Sequence, residues 1–149
     1  MATSDKFKNR INELISDSEI SRDSLLKTLG LSSNTLTNAT LYGIIPTPKT
    51  LVKLADYFNV TLCYLLGKTN ENDFIASAAP SDFKTRFLLL CDEKGVSHYK
   101  VSKDCGFESS SIVRWLKNGF TPSLEILDLL CDYFKVSPDY LLGRTDYKN

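Results

Sequence analysis

Few side chains in this chain are placed to do chemistry. His98 is the only histidine, and no paired His/Cys or Ser/His arrangement of the kind that activates a nucleophile is present. Cys63, Cys91, Cys105 and Cys131 show no CxxC or Cys/His spacing, which argues against a zinc site and for free thiols. There is no glycine-rich phosphate loop, and the carboxylates are scattered as on helix surfaces. These absences predict a protein that is not an enzyme and that has neither a metal nor a cofactor. What remains is hydrogen bonding and charge. Lys100, Lys103, Arg114 and Lys117 gather positive charge in the second half, whereas residues 28–48 contain no Lys or Arg. Such a group either neutralises phosphates or is a solvated face, and Glu108 beside it opposes the first use. The formal net charge is zero, so local charge must decide.

The elements that position these residues come twice. Laid over itself with Phe7 on Phe83, the sequence aligns without a gap to Thr69 and Thr145, with about one position in three identical. The matches include Arg10/Arg86, Leu14/Leu90, Gly30/Gly106, Gly43/Gly119 and Pro46/Pro122. Asp56-Tyr57-Phe58 matches Asp132-Tyr133-Phe134, and Tyr64-Leu65-Leu66-Gly67 matches Tyr140-Leu141-Leu142-Gly143. The expected organisation is a first domain at 1–69, a linker at 70–81 and a second domain at 82–149. The linker is polar and then rich in Ala, Ser and Pro, with no regular element expected and with Phe74 and Ile75 as docking points. The alignment sets Cys91, Cys105 and Cys131 opposite Ile15, Leu29 and Ala55, which predicts core thiols. It sets Cys63 opposite Asp139, which predicts an exposed and reactive one.

Periodicity predicts five helices per copy. Phe7, Ile11, Leu14 and Ile15 make an amphipathic stripe ending near Asp17. Ser21 can cap a second helix that stops at Gly30, and Ser32 a third that carries Leu36 inward. Pro48 opens a fourth, with Leu51, Leu54, Ala55 and Phe58 inside, and Thr61 to Leu66 is the fifth. The second copy repeats this at 83–94, 97–104, 109–117, 123–134 and 138–142. With 42% hydrophobic and 24% charged residues, packed cores are affordable in both copies. No apolar run approaches the roughly 18 residues of a membrane span, and no signal sequence opens the chain, so a cytoplasmic protein is expected.

A short helix, a glycine-containing turn and a second short helix opening on small polar residues are the ingredients of a helix-turn-helix. Both copies resemble the Cro/repressor-type (XRE, lambda-repressor-like) helix-turn-helix family over nearly the whole chain. The resemblance is plainest in Val96-Ser97, Gly106-Phe107, Ser111-Ile112, Pro122-Ser123-Leu124-Glu125 and Asp139-Tyr140-Leu141-Leu142-Gly143. It implies an all-α fold of two tandem five-helix domains. It also implies a sequence-specific, repressor-like transcriptional regulator from a bacterium or phage, reading double-stranded DNA with the third helix of one or both domains. Carried over position by position, the base-facing residues are Ser33, Asn34 and Asn38 in the first copy and Ser109, Ser110 and Arg114 in the second. Asn suits adenine and Arg guanine. Where the family usually places a phosphate-clamping Gln, this chain has Arg22 and His98, and Lys100 and Lys117 add phosphate contacts. The family's usual Arg–Glu pair between helices one and three is replaced at both ends, by Ile15 with Thr40 and by Cys91 with Leu116, which leaves no stranded charge.

A covalent tandem could replace the usual dimer, since an extended 12-residue linker covers about 40 Å against the roughly 34 Å between successive major grooves. Such a chain would prefer an asymmetric site; a homodimer is the other arrangement. Alternatively the first copy is an interaction platform, because its Leu41-Tyr42-Gly43-Ile44-Ile45 segment is apolar where the family's loop is usually basic. That segment either meets a partner or closes the domain's own core. A separate reading is an antirepressor-like regulator that binds another regulator protein and little or no DNA.

Overall fold

The computed structural model describes residues 3–149. The described residues are all-helical and divide into two compact units, Met1–Phe74 and Ile75–Asn149, outside of which no residue falls. The first holds α1 (Asp5–Ser18), α2 (Arg22–Leu29), α3 (Ser33–Tyr42), α4 (Pro48–Phe58) and α5 (Leu62–Leu65). The second holds α6 (Phe83–Lys94), α7 (His98–Cys105), α8 (Ser109–Asn118), α9 (Leu124–Phe134) and α10 (Pro138–Leu141). The only extended pairing among the described residues is an isolated antiparallel bridge between Thr3 and Ile44. No described helix is long and apolar enough to cross a membrane.

The helix limits follow local chemistry. Side-chain oxygens of Ser4, Ser21, Ser32 and Thr61 in the first unit, and of Asp82, Ser97, Ser123 and Ser137 in the second, accept first-turn amides that would otherwise lack partners. Pro48 and Pro138 sit in the first turn of α4 and α10, where a missing N–H costs nothing. In the first unit α1 packs on α3 and α5 around Phe7, Ile11, Leu25, Leu36, Leu51 and Leu54. Phe58 is half-buried at the edge of this core. The second core holds more aromatic rings than the first. Trp115, opposite Ala39 in the repeat, sets its ring edge-on to Phe83 at 5.5 Å and to Phe87 at 5.9 Å.

One clasp recurs in both units. The buried Arg10 guanidinium lies 3.8 Å from the centre of the Tyr64 ring and donates to the carbonyls of Tyr64 and Thr69. Arg86 does the same with Tyr140, at 4.1 Å, and with the carbonyls of Tyr140 and Thr145. The cation thereby satisfies one carbonyl in the last helix and one past its end, and ties both to the first helix. Gly67 and Gly143 complete it, both with positive φ. A Cβ would stand 2.8 Å from the Lys6 carbonyl oxygen in one unit and 2.2 Å from the Ser81 carbonyl carbon in the other, so only glycine fits.

Residues 70–81 hold no regular element, but both ends are hydrogen-bonded into their own units. Asn70 accepts from Arg10, and Asn72 accepts from the Thr61 amide and donates to the Asn59 carbonyl. On the other side the Ile75 carbonyl accepts from Thr145, the Ser77 amide donates to Arg144 and the Ser81 amide to Gly143.

None of the four cysteines forms a disulfide. Cys91 and Cys131 are buried, and burial pushes the Cys91 thiol up to about 11. Cys105 is half-buried and also raised, by burial first and then by the Asp104 charge. Cys63 departs from expectation: it is half-buried rather than exposed. The inference failed because its counterpart Asp139 is itself buried, 4% exposed, in an ion pair with the equally buried Arg144.

Candidate nucleic-acid interface

In the second unit Ser97 caps α7, Gly106 ends it in the left-handed region, and α8 begins three residues later. Val101 from α7 and Ile112 and Trp115 from α8 point into the core, which fixes what α8 presents outward. The outward residues are Ser109, Ser110, Val113, Arg114 and Lys117, all exposed. At helical spacing they form two adjacent stripes: Ser109, Val113 and Lys117, and Ser110 with Arg114. Arg114 donates to the Ser111 hydroxyl at 3.3 Å, a contact within its own helix that leaves most of its donors toward solvent. Glu108 precedes α8 but makes no side-chain cap, so the first-turn amides carry no side-chain acceptor.

His98, at the first position of α7, is exposed with its ring 5.7 Å from Phe87. Lys100 is partly committed: its ammonium lies 3.3 Å from Asp104. The Tyr133 hydroxyl donates to the same carboxylate at 2.7 Å and, together with Lys100, holds it below the usual carboxylate range. In return the Tyr133 phenol is pushed up to about 12. Lys103 lies over the Tyr99 ring at 5.7 Å.

The first unit places the matching helices alike but dresses them differently. Arg22, at the first position of α2, donates to the Ser33 carbonyl at 2.9 Å and to the hydroxyls of Ser33 and Thr37. One arm of its guanidinium is thus fixed to α3, and Ser33 is tied up with it. Asn34 is exposed and Asn38 half-buried, with the Asn38 carbonyl accepting the Ile44 amide. Leu41 and Tyr42 close α3 at 60% and 63% exposure, whereas Ile44 and Ile45 are half-buried against their own unit.

The structure therefore brings Ser109, Ser110, Arg114 and Lys117 onto one exposed face with His98 at its edge. It draws Lys100 toward Asp104 and Arg22 toward Ser33 and Thr37. Sequence reasoning overlooked Val113 and Tyr99, whose signal was an apolar residue at a position that helical phase turns outward.

Helix α7, the turn at Gly106 and α8 together have the form of a helix-turn-helix. Residues 87–146 match the family model of the Cro/C1-type HTH DNA-binding domain, a span that covers less than half of the chain. Neither the curated proteins nor the solved structures return a match.

Proposed function

We propose that the chain is a sequence-specific, repressor-like transcriptional regulator of bacterial or phage origin, acting in the cytosol, with α8 as its principal reading helix. The exposed Ser110–Arg114–Lys117 face, within the segment matched to a DNA-binding family, carries this reading. Arg114 presents a fork to the two major-groove acceptors of guanine. Ser109 and Ser110 hydrogen-bond neighbouring base edges, and Lys117, His98 and the partly paired Lys100 neutralise phosphates. In the first unit Asn34 and Asn38 are the candidates for base contact, with Arg22 and Ser33 held to each other beside them.

The test is fluorescence anisotropy with pooled fragments of the source genome at several salt concentrations, followed by sequencing of what is retained. Steep loss of affinity with salt and recovery of a defined site are expected. An asymmetric site means that both units read; a palindrome means a homodimer reading through α8 twice. The exposed Leu41 and Tyr42 favour a second reading, in which the first unit engages another regulator protein. Retention of no fragment even at low salt would leave that reading alone standing.

A further inference from the structure

Val113 occupies the middle of the outward face of α8, one turn beyond Ser109 and one turn before Lys117, and is 50% exposed. A β-branched residue at an exposed helical position has lower helix propensity than Ala or Lys and gains no packing in return. Tyr99 of α7 is 62% exposed beside it. Together with Leu116 they line an open depression of about 370 Å³ whose remaining wall includes His98, Ser110 and Lys117. An apolar floor is thus surrounded by a hydroxyl, an imidazole and an ammonium. The first unit has no counterpart: Asp23 stands for Tyr99, and Thr37, engaged by Arg22, stands for Val113.

The occupant must be anionic overall yet offer an isolated apolar group next to hydrogen-bonding edges. In the major groove only thymine does so, through its C5-methyl; the other base edges present donors and acceptors that an apolar floor would leave unpaired. We infer that Val113, with Tyr99 behind it, reads a thymine methyl, so that the recognised site places thymine next to the base seen by Arg114. This rests on the DNA-reading function proposed above and names its missing specificity element.

The experiment uses the full chain and the pooled genomic fragments, amplified once with thymidine and once with deoxyuridine triphosphate, which differ only by that methyl. The wild-type protein is expected to bind the uracil pool about fourfold more weakly per contacted methyl. Val113→Ala is expected to bind both pools equally, and replacing single thymines in the recovered site then locates the contact. Alanine at an exposed position favours the helix, and the emission of Trp115 beneath it verifies that the variant is folded. Equal wild-type binding to both pools overturns the inference and leaves DNA reading intact. Undiminished discrimination by Val113→Ala also overturns it, by moving the methyl contact elsewhere. Failure to retain either pool at low salt removes the inference together with the function it rests on.

Discussion

At equivalent positions of their second and third helices the two units carry Arg22 and His98, Asp23 and Tyr99, Thr37 and Val113, Asn38 and Arg114, and Leu41 and Lys117. Not one of these outward pairs matches. The clasp residues Arg10/Arg86, Tyr64/Tyr140, Gly67/Gly143 and Thr69/Thr145 match throughout, because each meets a geometric demand that few side chains satisfy. A scaffold held from within and at its ends leaves the surface of its helix pair open to divergence. The second unit sets a histidine, an arginine and a lysine on that surface beside an exposed tyrosine and valine. The first combines an acid, hydroxyls bound to its own arginine, and an exposed leucine and tyrosine.

The largest contrast lies away from the reading face. Asp139→Ala breaks a buried ion pair with Arg144 and is expected to cost about 3–5 kcal/mol. In the first unit the counterpart of Arg144 is the exposed Lys68, and Lys68→Ala is expected to cost no more than about 0.5 kcal/mol. Urea titration followed by circular dichroism measures both, and the single tryptophan, Trp115, reports on the second unit alone. Equal costs would erase the distinction between the two chain ends.

On DNA, Arg114→Ala is expected to lose about 1–3 kcal/mol, tenfold to hundredfold in affinity, and to relax preference at one base pair. Asn38→Ala should change affinity less than about twofold if α8 is the principal reader. Equal losses would make both units readers. Lys117→Ala should weaken binding to all sequences and reduce the salt slope by about one, and Leu41→Lys should not restore it from the other unit.

The smallest contrast concerns acid. α6 is capped by Asp82, which accepts the Thr85 amide at 2.8 Å, and α1 by Ser4, which does not titrate. The backbone hydrogen bond from Thr85, and then its side chain, hold Asp82 below its ordinary 3.8. A carboxyl lowered in the folded state contributes stability that is present above its unfolded value and lost as pH falls through its folded one. The second unit should therefore lose stability below about pH 4, and Asp82→Ser should flatten that loss. An unchanged acid limb in Asp82→Ser would show that other carboxyls set it.

The helices were legible because their signals are local. Ser21, Ser32 and Ser97 each cap one, Pro48 opens one and Gly30 ends one, and the limits of the second unit agree to within a residue or so. The contacts of long side chains between helices were not legible. Nothing in sequence spacing says that Arg22 turns back onto α3, since that depends on a rotamer chosen after the helices pack, whereas Lys100 and Asp104 stand four apart on one helix and were a pairing the spacing offered. Asp139 misled for a related reason: a carboxylate reads as surface unless its partner is known, and Arg144 is placed against it only by the turn that follows α10. The clasp lay in plain view as repeated Arg10 and Arg86, but a shared identity does not disclose what the residue touches.

The clasp also decides where this protein can be cut. The stretch that matches the family begins at Phe87, one residue after the guanidinium that closes the unit, and leaves out the Phe83 ring against which Trp115 packs. A fragment trimmed to that match would keep every residue of the reading face and lose the latch that keeps it in shape. An autonomous reading domain has to start upstream of Ser77, whose amide and hydroxyl hold Arg144 and Asp146.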